Sequence, residues 1–110
     1  MAGKYRGGTS VKGAPHTTGV TVGSGAATQI IGPQPERVAV TIWNYWDEDA
    51  DPNKDKTTTV FIGGSDVAAS GATRGIPIKP GEHFPDDDTN SSWYGITDDG
   101  AAYLIVCDIY

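Results

Sequence analysis

The sequence has almost none of the features that mark a disulfide-bonded, helical or membrane-spanning protein. Its 110 residues include one cysteine and one methionine, and leucine is nearly absent. A single thiol cannot form an internal disulfide, which excludes a secreted disulfide scaffold. No apolar run approaches the roughly 20 residues that cross a bilayer, and no charged and then apolar leader opens the chain. We therefore expect a soluble protein without membrane contact, made in a reducing compartment.

Residues that favour strands and turns are abundant instead. Fifteen glycines and seven prolines interrupt short runs that are rich in threonine, valine and isoleucine. Such residues favour strands and turns over helices. A chain of this length forms one domain, and a domain of this size buries roughly two thirds of its surface without needing disulfides. The composition predicts a single all-β domain.

Apolar runs separated by turn residues predict seven or eight short strands. The clearest alternation lies in PQPERVAVTIWN, where Val38, Val40 and Ile42 share one face; Val60 and Ile62 share a face in TTTVFIG. No helical segment separates the runs, so their spacing predicts a small antiparallel β-sandwich or barrel. The other runs predicted as strands are TGVTVGS, AATQIIG, TRGIPIK, SSWYGIT and AYLIVCDIY.

Charge is distributed unevenly along the chain. Residues 1–35 contain three bases and no acid, whereas residues 36–110 hold all fourteen acids against five bases, which gives formal charges of +3 and −9. An acidic body repels a phosphate backbone, which argues against nucleic-acid binding by this part of the chain.

The first residues have no apolar periodicity and predict an extended arm. We place this Gly-rich, basic N-terminal arm at residues 1–16 and the β-domain at residues 17–110. The arm is either a solvated tail or a contact for something negative, such as an acidic protein surface or, as a weaker alternative, packaged nucleic acid. Its candidate contact residues are Lys4, Tyr5, Arg6 and Lys12.

No pattern in the sequence indicates catalysis. Cys107 lies in an apolar strand, an environment in which a thiol is structural and inert. His16 and His83 have no partner fixed by sequence spacing, and Gly63-Gly64 lacks the Lys-Ser or Lys-Thr pair of a phosphate-binding loop. We expect no catalytic residues, no cofactor and no enzymatic activity.

The acidic segment DEDADPNKDK is a weak candidate for a calcium site. Asp47, Asp49 and Asp51 occupy positions one, three and five of a calcium-loop pattern. The pattern then fails, because Pro52 stands where glycine makes the sharp turn and Thr58 stands where a bidentate glutamate belongs. A solvated, charged loop is the simpler interpretation.

Aromatic side chains suggest a possible sugar-binding platform. Trp43 and Trp46 cluster just before the acidic segment, and Trp93 lies in a later strand. Exposed rings at these three positions would stack on glycans. Aromatic residues at strand ends more often fill a sandwich or anchor a protein interface.

The last strand is apolar on both faces, which favours a subunit contact. One face carries Tyr103 and Ile105 with Cys107 and Ile109, and the other carries a second set that begins at Leu104. A strand with one wet face should alternate between apolar and polar residues, and a small domain rarely covers both faces of an end strand. The predicted interface residues are Leu104, Val106 and Tyr110.

Three segments in a fixed order resemble a small β-domain that recurs among the virion proteins of tailed bacteriophages. They are ERVAVTIWN, TTVFIGGSDVAASGATRGIPIKPGEHF and WYGITDDGAAYLIV, and the resemblance extends over roughly residues 36–107, about two thirds of the chain. The chain departs from the family pattern in its acidic insertions at 47–56 and 86–88. The matching residues are Val40, Ile42, Asn44, Val60, Phe61, Ile62, Gly63, Val67, Gly75, Pro77, Ile78, Pro80, Gly81, Trp93, Tyr94, Ile96 and Gly100.

The resemblance implies a structural role. Similar proteins are capsid decoration or head-fibre proteins, or domains of tail and connector parts, and the shared motif carries no catalytic residues. It implies a virion protein on the capsid surface, made in the host cytoplasm, that binds the major capsid protein through its arm and forms a homo-oligomer, most often a trimer. The alternative is a tail, neck or fibre-associated binding domain that engages glycans.

The resemblance also implies a structural role for the turn-rich stretch within the second segment. Gly63-Gly64 would let the backbone leave its strand at unusual angles, and Val67 would tuck back over the core. Gly75 would help to set a bend, and Pro80-Gly81 would form a tight turn. The stretch is therefore predicted to be a rigid scaffold corner.

Overall fold

The computed structural model describes residues 14–45, 58–87 and 91–110, which form eight strands and no helix. The prediction of an all-β chain with seven or eight short strands is confirmed. The strands are β1 (Pro15–Val22), β2 (Thr28–Ile31), β3 (Ala39–Asn44), β4 (Val60–Gly63), β5 (Ile76–Ile78), β6 (His83–Asp86), β7 (Trp93–Thr97) and β8 (Ala102–Ile109).

The strands form two four-stranded sheets whose pairings are all antiparallel. Sheet A has the order β1-β8-β3-β6, and sheet B has the order β2-β7-β4-β5. Side chains from the inner faces of both sheets make one core, as in a β-sandwich. The core residues are Val22, Ile30, Val40, Ile42, Val60, Ile62, Ile78, Ala102, Leu104 and Val106.

The alternation of side chains along a strand explains how this composition fills the core. In β8, Ala102, Leu104 and Val106 point inward and are buried, while the residues between them point outward. β-Branched valine and isoleucine supply most of the remaining inner positions, and they pack well on a pleated surface.

The structure departs from the sequence prediction around the first residues of β3. Val38 was predicted to share a face with Val40 and Ile42, which are buried, yet it is 47% exposed, and the neighbouring Arg37 is only 1% exposed. The regular strand begins at Ala39, so the alternation does not extend back to these two residues.

Two other strands also differ from their predictions. β1 begins at Pro15, two residues before the predicted boundary at residue 17. No strand was predicted at His83–Asp86, which forms β6 at an edge of sheet A. Pro85 fits there because an edge strand has one side on which no hydrogen-bond donor is needed.

The stretch between β4 and β5 folds into a corner that covers Val67 as predicted, but Gly63 and Gly64 do not have the positive φ that would make their backbone angles unusual. Val67 is 5% exposed and lies against Gly63 and Gly75. A Cβ on Gly75 would lie 2.6 Å from the carbonyl oxygen of Ile62 and 2.5 Å from Cγ2 of Val67. The glycine therefore lets two backbone segments approach each other closely enough to trap the valine side chain.

The turn after β5 is also as predicted. The amide of Glu82 donates to the carbonyl of Lys79 over 2.9 Å, with Pro80 and Gly81 as the two central residues. Gly81 has a φ of 86°, which the third position of a type II turn requires and which a side chain disfavours.

Two buried polar side chains connect the sheets at opposite ends of β3. Arg37 donates from Nη1 to the carbonyl of Ser91 over 3.0 Å and from Nη2 to the carbonyl of Gly32 over 2.6 Å, and its Nε lies 3.7 Å from Oδ2 of Asp108. The guanidinium thus joins β8 of sheet A to the segments that flank β2 and β7 of sheet B.

Asn44 makes the connection at the other end of β3. Its Nδ2 donates to the carbonyl of Thr58 over 3.1 Å and to the carbonyl of Ile78 over 2.8 Å. Its backbone also pairs with the turn after β5, since its amide donates to Glu82 and its carbonyl accepts from Gly81. The side chain is 2% exposed, so these bonds form away from water.

The close packing of the corner predicts that alanine substitutions at two glycines of the same stretch have different effects on the stability of the protein. Gly75→Ala should lower the free energy of unfolding by about 3 kcal/mol, because the new Cβ would overlap backbone atoms of Ile62. Gly64→Ala is the matched control, since the nearest atom to its Cβ would be 3.5 Å away. Urea denaturation of both variants measures the difference, and equal stabilities would contradict this account of the corner.

The buried ion pair predicts a second pair of variants. Arg37→Met should lower the free energy of unfolding by about 3–5 kcal/mol, because it leaves the Asp108 carboxylate without its cation and two carbonyls without their donor. Glu36→Gln, at the exposed neighbouring position, should change it by less than about 0.5 kcal/mol. An Arg37→Met protein that is as stable as the control would show that the sheets do not depend on this contact.

Candidate functional site

Among the residues that the structure describes, the outward-facing side of sheet A carries no acidic or basic side chain apart from one histidine. Alternate residues of its four strands point away from the core, and cross-strand register places them in rows, such as Ile105 beside Trp43 and Trp43 beside His83. We call this side the outer face. It consists of Pro15, Thr17, Gly19, Thr21, Ala39, Thr41, Trp43, His83, Pro85, Tyr103, Ile105, Cys107 and Ile109.

The charges of the described residues lie elsewhere. The two acids within strands, Asp86 and Asp108, are on inner positions of β6 and β8. The exposed acids are all in loops and turns, at Glu36, Asp66, Glu82, Asp87, Asp98 and Asp99. The centres of protein interfaces are depleted of charged side chains. The outer face has this composition, although the protein as a whole is acidic.

Aromatic rings cover one end of the outer face. Trp43 and Tyr45 meet edge to face with ring centroids 5.1 Å apart, and Tyr45 meets Tyr103 in the same way at 6.1 Å. Trp43 is 36% exposed and Tyr103 is 43% exposed. The Tyr103 hydroxyl lies over Gly19, at a place that any Cβ on that residue would occupy. Glycine in β1 therefore allows the tyrosine to lie flat across the neighbouring strand.

A shallow depression lies beside these rings and is lined by Thr41, Trp43, His83, Ile105 and Cys107. His83 and Cys107 are the reactive groups in it, but β3 lies between their strands and the register offsets them by two residues, so their backbones are about 12 Å apart. No hydrogen bond joins the two side chains, so this depression does not pair the thiol with a base. The depression suits contact with apolar and aromatic groups.

Two predicted interface residues are in the wrong place for a subunit contact. Leu104 is completely buried and Val106 is 2% exposed, because both point into the core between the sheets. Tyr110 is partly exposed, and its ring stacks on that of His16 with centroids 3.9 Å apart. The opposite side of β8, with Tyr103 and its alternate neighbours, is the side that faces outward.

The predicted glycan residues have different surroundings. Trp43 is exposed on the outer face. Trp93 is only partly exposed; its Nε1 donates to Oδ2 of Asp86 over 2.8 Å and to Oγ of Ser91 over 3.1 Å, and its ring packs edge to face on Phe84. Trp93 therefore serves the packing between the sheets, and Trp46 lies outside the described residues.

Several other predicted residues also lie outside the described residues. They are the arm residues Lys4, Tyr5, Arg6 and Lys12 and the calcium candidates Asp47, Asp49 and Asp51. Within residues 14–45, 58–87 and 91–110, no group of three or more His, Cys, Asp or Glu side chains is placed to hold a metal ion.

The first described residue, Ala14, falls within the predicted arm of residues 1–16 and has a defined position. Ala14 and Tyr110 exchange two backbone hydrogen bonds, of 3.1 Å and 3.2 Å, which extend the pairing of β1 with β8 by one residue. The arm therefore joins the domain at the edge of sheet A, beside the last residue of the chain.

Comparisons with protein-family models, with curated proteins and with solved structures gave no match to this chain. None of the described segments is a helix long and apolar enough to span a membrane.

The different surroundings of Trp93 and Trp43 predict that the same substitution lowers the stability of the protein at the first position and hardly changes it at the second. Trp93→Phe should lower the free energy of unfolding by about 1–3 kcal/mol, because it removes the donor to a carboxylate and leaves Asp86 with one fewer partner. Trp43→Phe, on the outer face, should change it by less than about 0.5 kcal/mol. Urea denaturation followed by circular dichroism measures both, and a larger loss at Trp43 would contradict the assignment.

Proposed function

We propose that this chain is a structural virion protein of a tailed bacteriophage: a capsid decoration protein that binds the major capsid protein at the outer shell through its N-terminal arm. The resemblance of residues 36–107 to small virion β-domains supplies the virion setting. The uncharged outer face of sheet A is the single structural observation that carries the proposal, because it suits a protein that works through contact.

The outer face supports binding to another protein surface. Charged side chains are depleted at the centres of protein interfaces, and tyrosine and tryptophan are enriched there. Trp43 and Tyr103 are exposed at one end of the face, and the exposed acids of the described residues lie in loops and turns. Such a face would lie against the shell, while the acidic loops would remain in solvent.

The position of Ala14 supports the same arrangement. It lies at the edge of sheet A, so a segment that extends from this point would lie close to any surface that the outer face contacts. Lys4, Arg6 and Lys12 would then meet acidic groups of neighbouring shell subunits. Many copies on one particle, each with two contact elements, would bind strongly even where each contact is weak.

A tail, neck or fibre-associated domain that binds glycans is the second candidate. The row of Trp43, Tyr45 and Tyr103 favours it, because exposed rings in one row stack on the apolar faces of sugars. Trp93 is a poor member of such a platform, since its indole is engaged with Asp86. A glycan array that gives binding to the native protein and none to Trp43→Ala would favour this second function.

The decoration proposal predicts both a copy number and a role for the arm. Purified particles should contain this chain in numbers comparable with the major capsid protein. A protein that lacks residues 1–13 should keep its thermal stability, because the strands begin at Pro15, but should no longer bind shells that lack the native chain. Binding is measured by co-sedimentation of the protein with the shells.

Cys107 provides an independent check of the outer face. It is the only cysteine and is partly exposed on that face, so a maleimide label reports on a single place. Shell-bound protein should be labelled much more slowly than free protein.

Two outcomes of the copy-number and truncation experiments would overturn the proposal. They are a count of only a few copies per particle, and full shell binding by the protein that lacks residues 1–13.

A further inference from the structure

The outer edge of β1 is an open strand edge of unusual length. β1 is the first strand of sheet A and pairs with β8 along its whole length of eight residues. In the part of the chain that the structure describes, no strand pairs with its other side. An exposed edge of this kind is a template for the backbone of another strand.

Alternation of the hydrogen bonds identifies the groups that face outward. Ala14 and Tyr110 exchange both of their backbone bonds, so the even-numbered residues of β1 are the hydrogen-bonded partners of β8. The amides and carbonyls of Thr17, Gly19 and Thr21 therefore point to the open edge. They form a row with a spacing of about 6.8 Å, which matches an antiparallel strand.

The other three sheet edges have features that discourage such pairing, and β1 has none of them. β2 has four residues and an irregular register between Gln29 and Ile31. β5 has three residues and contains Pro77, and β6 has four and contains Pro85. Short length, bulges and proline are the usual protection of an edge strand. In β1 the only proline is the first residue, the register is continuous, and no residue is acidic, lysine or arginine.

We propose that β1 is a self-association site, at which the β1 strands of two copies of this chain pair antiparallel about a two-fold axis at Gly19. In this register Thr17 of one copy lies opposite Thr21 of the other, and the two Gly19 residues face each other. Each copy then gives its three outward amides and three outward carbonyls to the other. Sheet A becomes one continuous sheet of eight strands, and the proposal does not depend on the function proposed above.

The sequence of β1 is suited to this register. The three residues whose backbone groups point to the open edge are threonine, glycine and threonine in chain order. Their order is the same when the strand is reversed, as antiparallel pairing requires. Threonine pairs across antiparallel strands are favourable, and no like charges meet. An isologous interface requires this kind of self-complementarity.

Tyr103 adds a contact at the axis. Its hydroxyl lies over Gly19, and two such glycines in a hydrogen-bonded pair would be about 5.5 Å apart. The phenol rings of the two copies would therefore come together over the new strand pair. A second copy makes this contact by symmetry, whereas an extended peptide from another protein does not, and this favours the second copy as the occupant.

A charge-reversal pair tests the register. Thr17→Lys with Thr21→Lys places like charges opposite each other in both symmetric positions, and should raise the dimer dissociation constant roughly tenfold or more. Thr17→Lys with Thr21→Glu places opposite charges there and should restore dimerisation. Residues 17 and 21 are on one strand about 13 Å apart, so the two variants differ little as isolated chains. Sedimentation equilibrium of the full chain measures the mass, and thermal denaturation checks that both variants fold.

Amide hydrogen exchange gives a second measurement. Protection of the amides of Thr17, Gly19 and Thr21 should increase with protein concentration, while the amides of His16 and Thr18, which bond to β8, should be protected at every concentration. A chain that stays monomeric or assembles only as a trimer would overturn the proposal. Equal weakening by the two charge variants, or dimers that form only after residues 1–13 are removed, would also overturn it.

Discussion

The two sheets of this protein are held in one arrangement by polar contacts at the two ends of β3. The core between them consists mainly of valine and isoleucine, and burial of apolar area has little directional preference. Arg37 and Asn44 add the direction, because each places donors from the β3 side of the sandwich onto carbonyls of the segments that belong to sheet B. A shift of one sheet over the other would leave these buried groups unpaired, at a cost of about 1–3 kcal/mol for each.

This way of joining the sheets explains why the outer face of sheet A is free of charge. Asp86 and Asp108, the strand acids, point inward and are used there, by Trp93 and by Arg37 respectively. The remaining described acids are in loops, where they keep the protein acidic without crossing either sheet. Alternation then leaves threonine, isoleucine and aromatic residues as the outward residues of the central strands. The same alternation of side chains along the strands therefore determines both the packing inside the domain and the composition of its outer face.

The sequence indicated the strands well, because strands depend on local spacing. The place of Val67 and its glycines in the corner was implied by the resemblance to virion β-domains and was not worked out from spacing. The inner face of β8 was not predictable, because both of its faces are apolar, and Leu104 and Val106 were therefore assigned to an interface. Arg37 was missed because arginine is rarely buried unless it is paired, and its partner Asp108 is far away in sequence. Strand order is a property of the whole chain, so nothing local marked β1 as an edge.

The open edge of β1 and the arm are consecutive in the chain, which links the two proposed contacts. If two copies pair about Gly19, each Ala14 lies five residues from the axis, and the two arms begin about 34 Å apart at opposite ends of the shared strand pair. The outer faces of both copies lie on the same side of the enlarged sheet, since antiparallel pairing keeps them continuous. A dimer of this kind would present one uncharged surface with a basic arm at each end. Its two arms could then bind neighbouring subunits of a repeating acidic surface at the same time, and the spacing would be set by the strand rather than by a flexible linker.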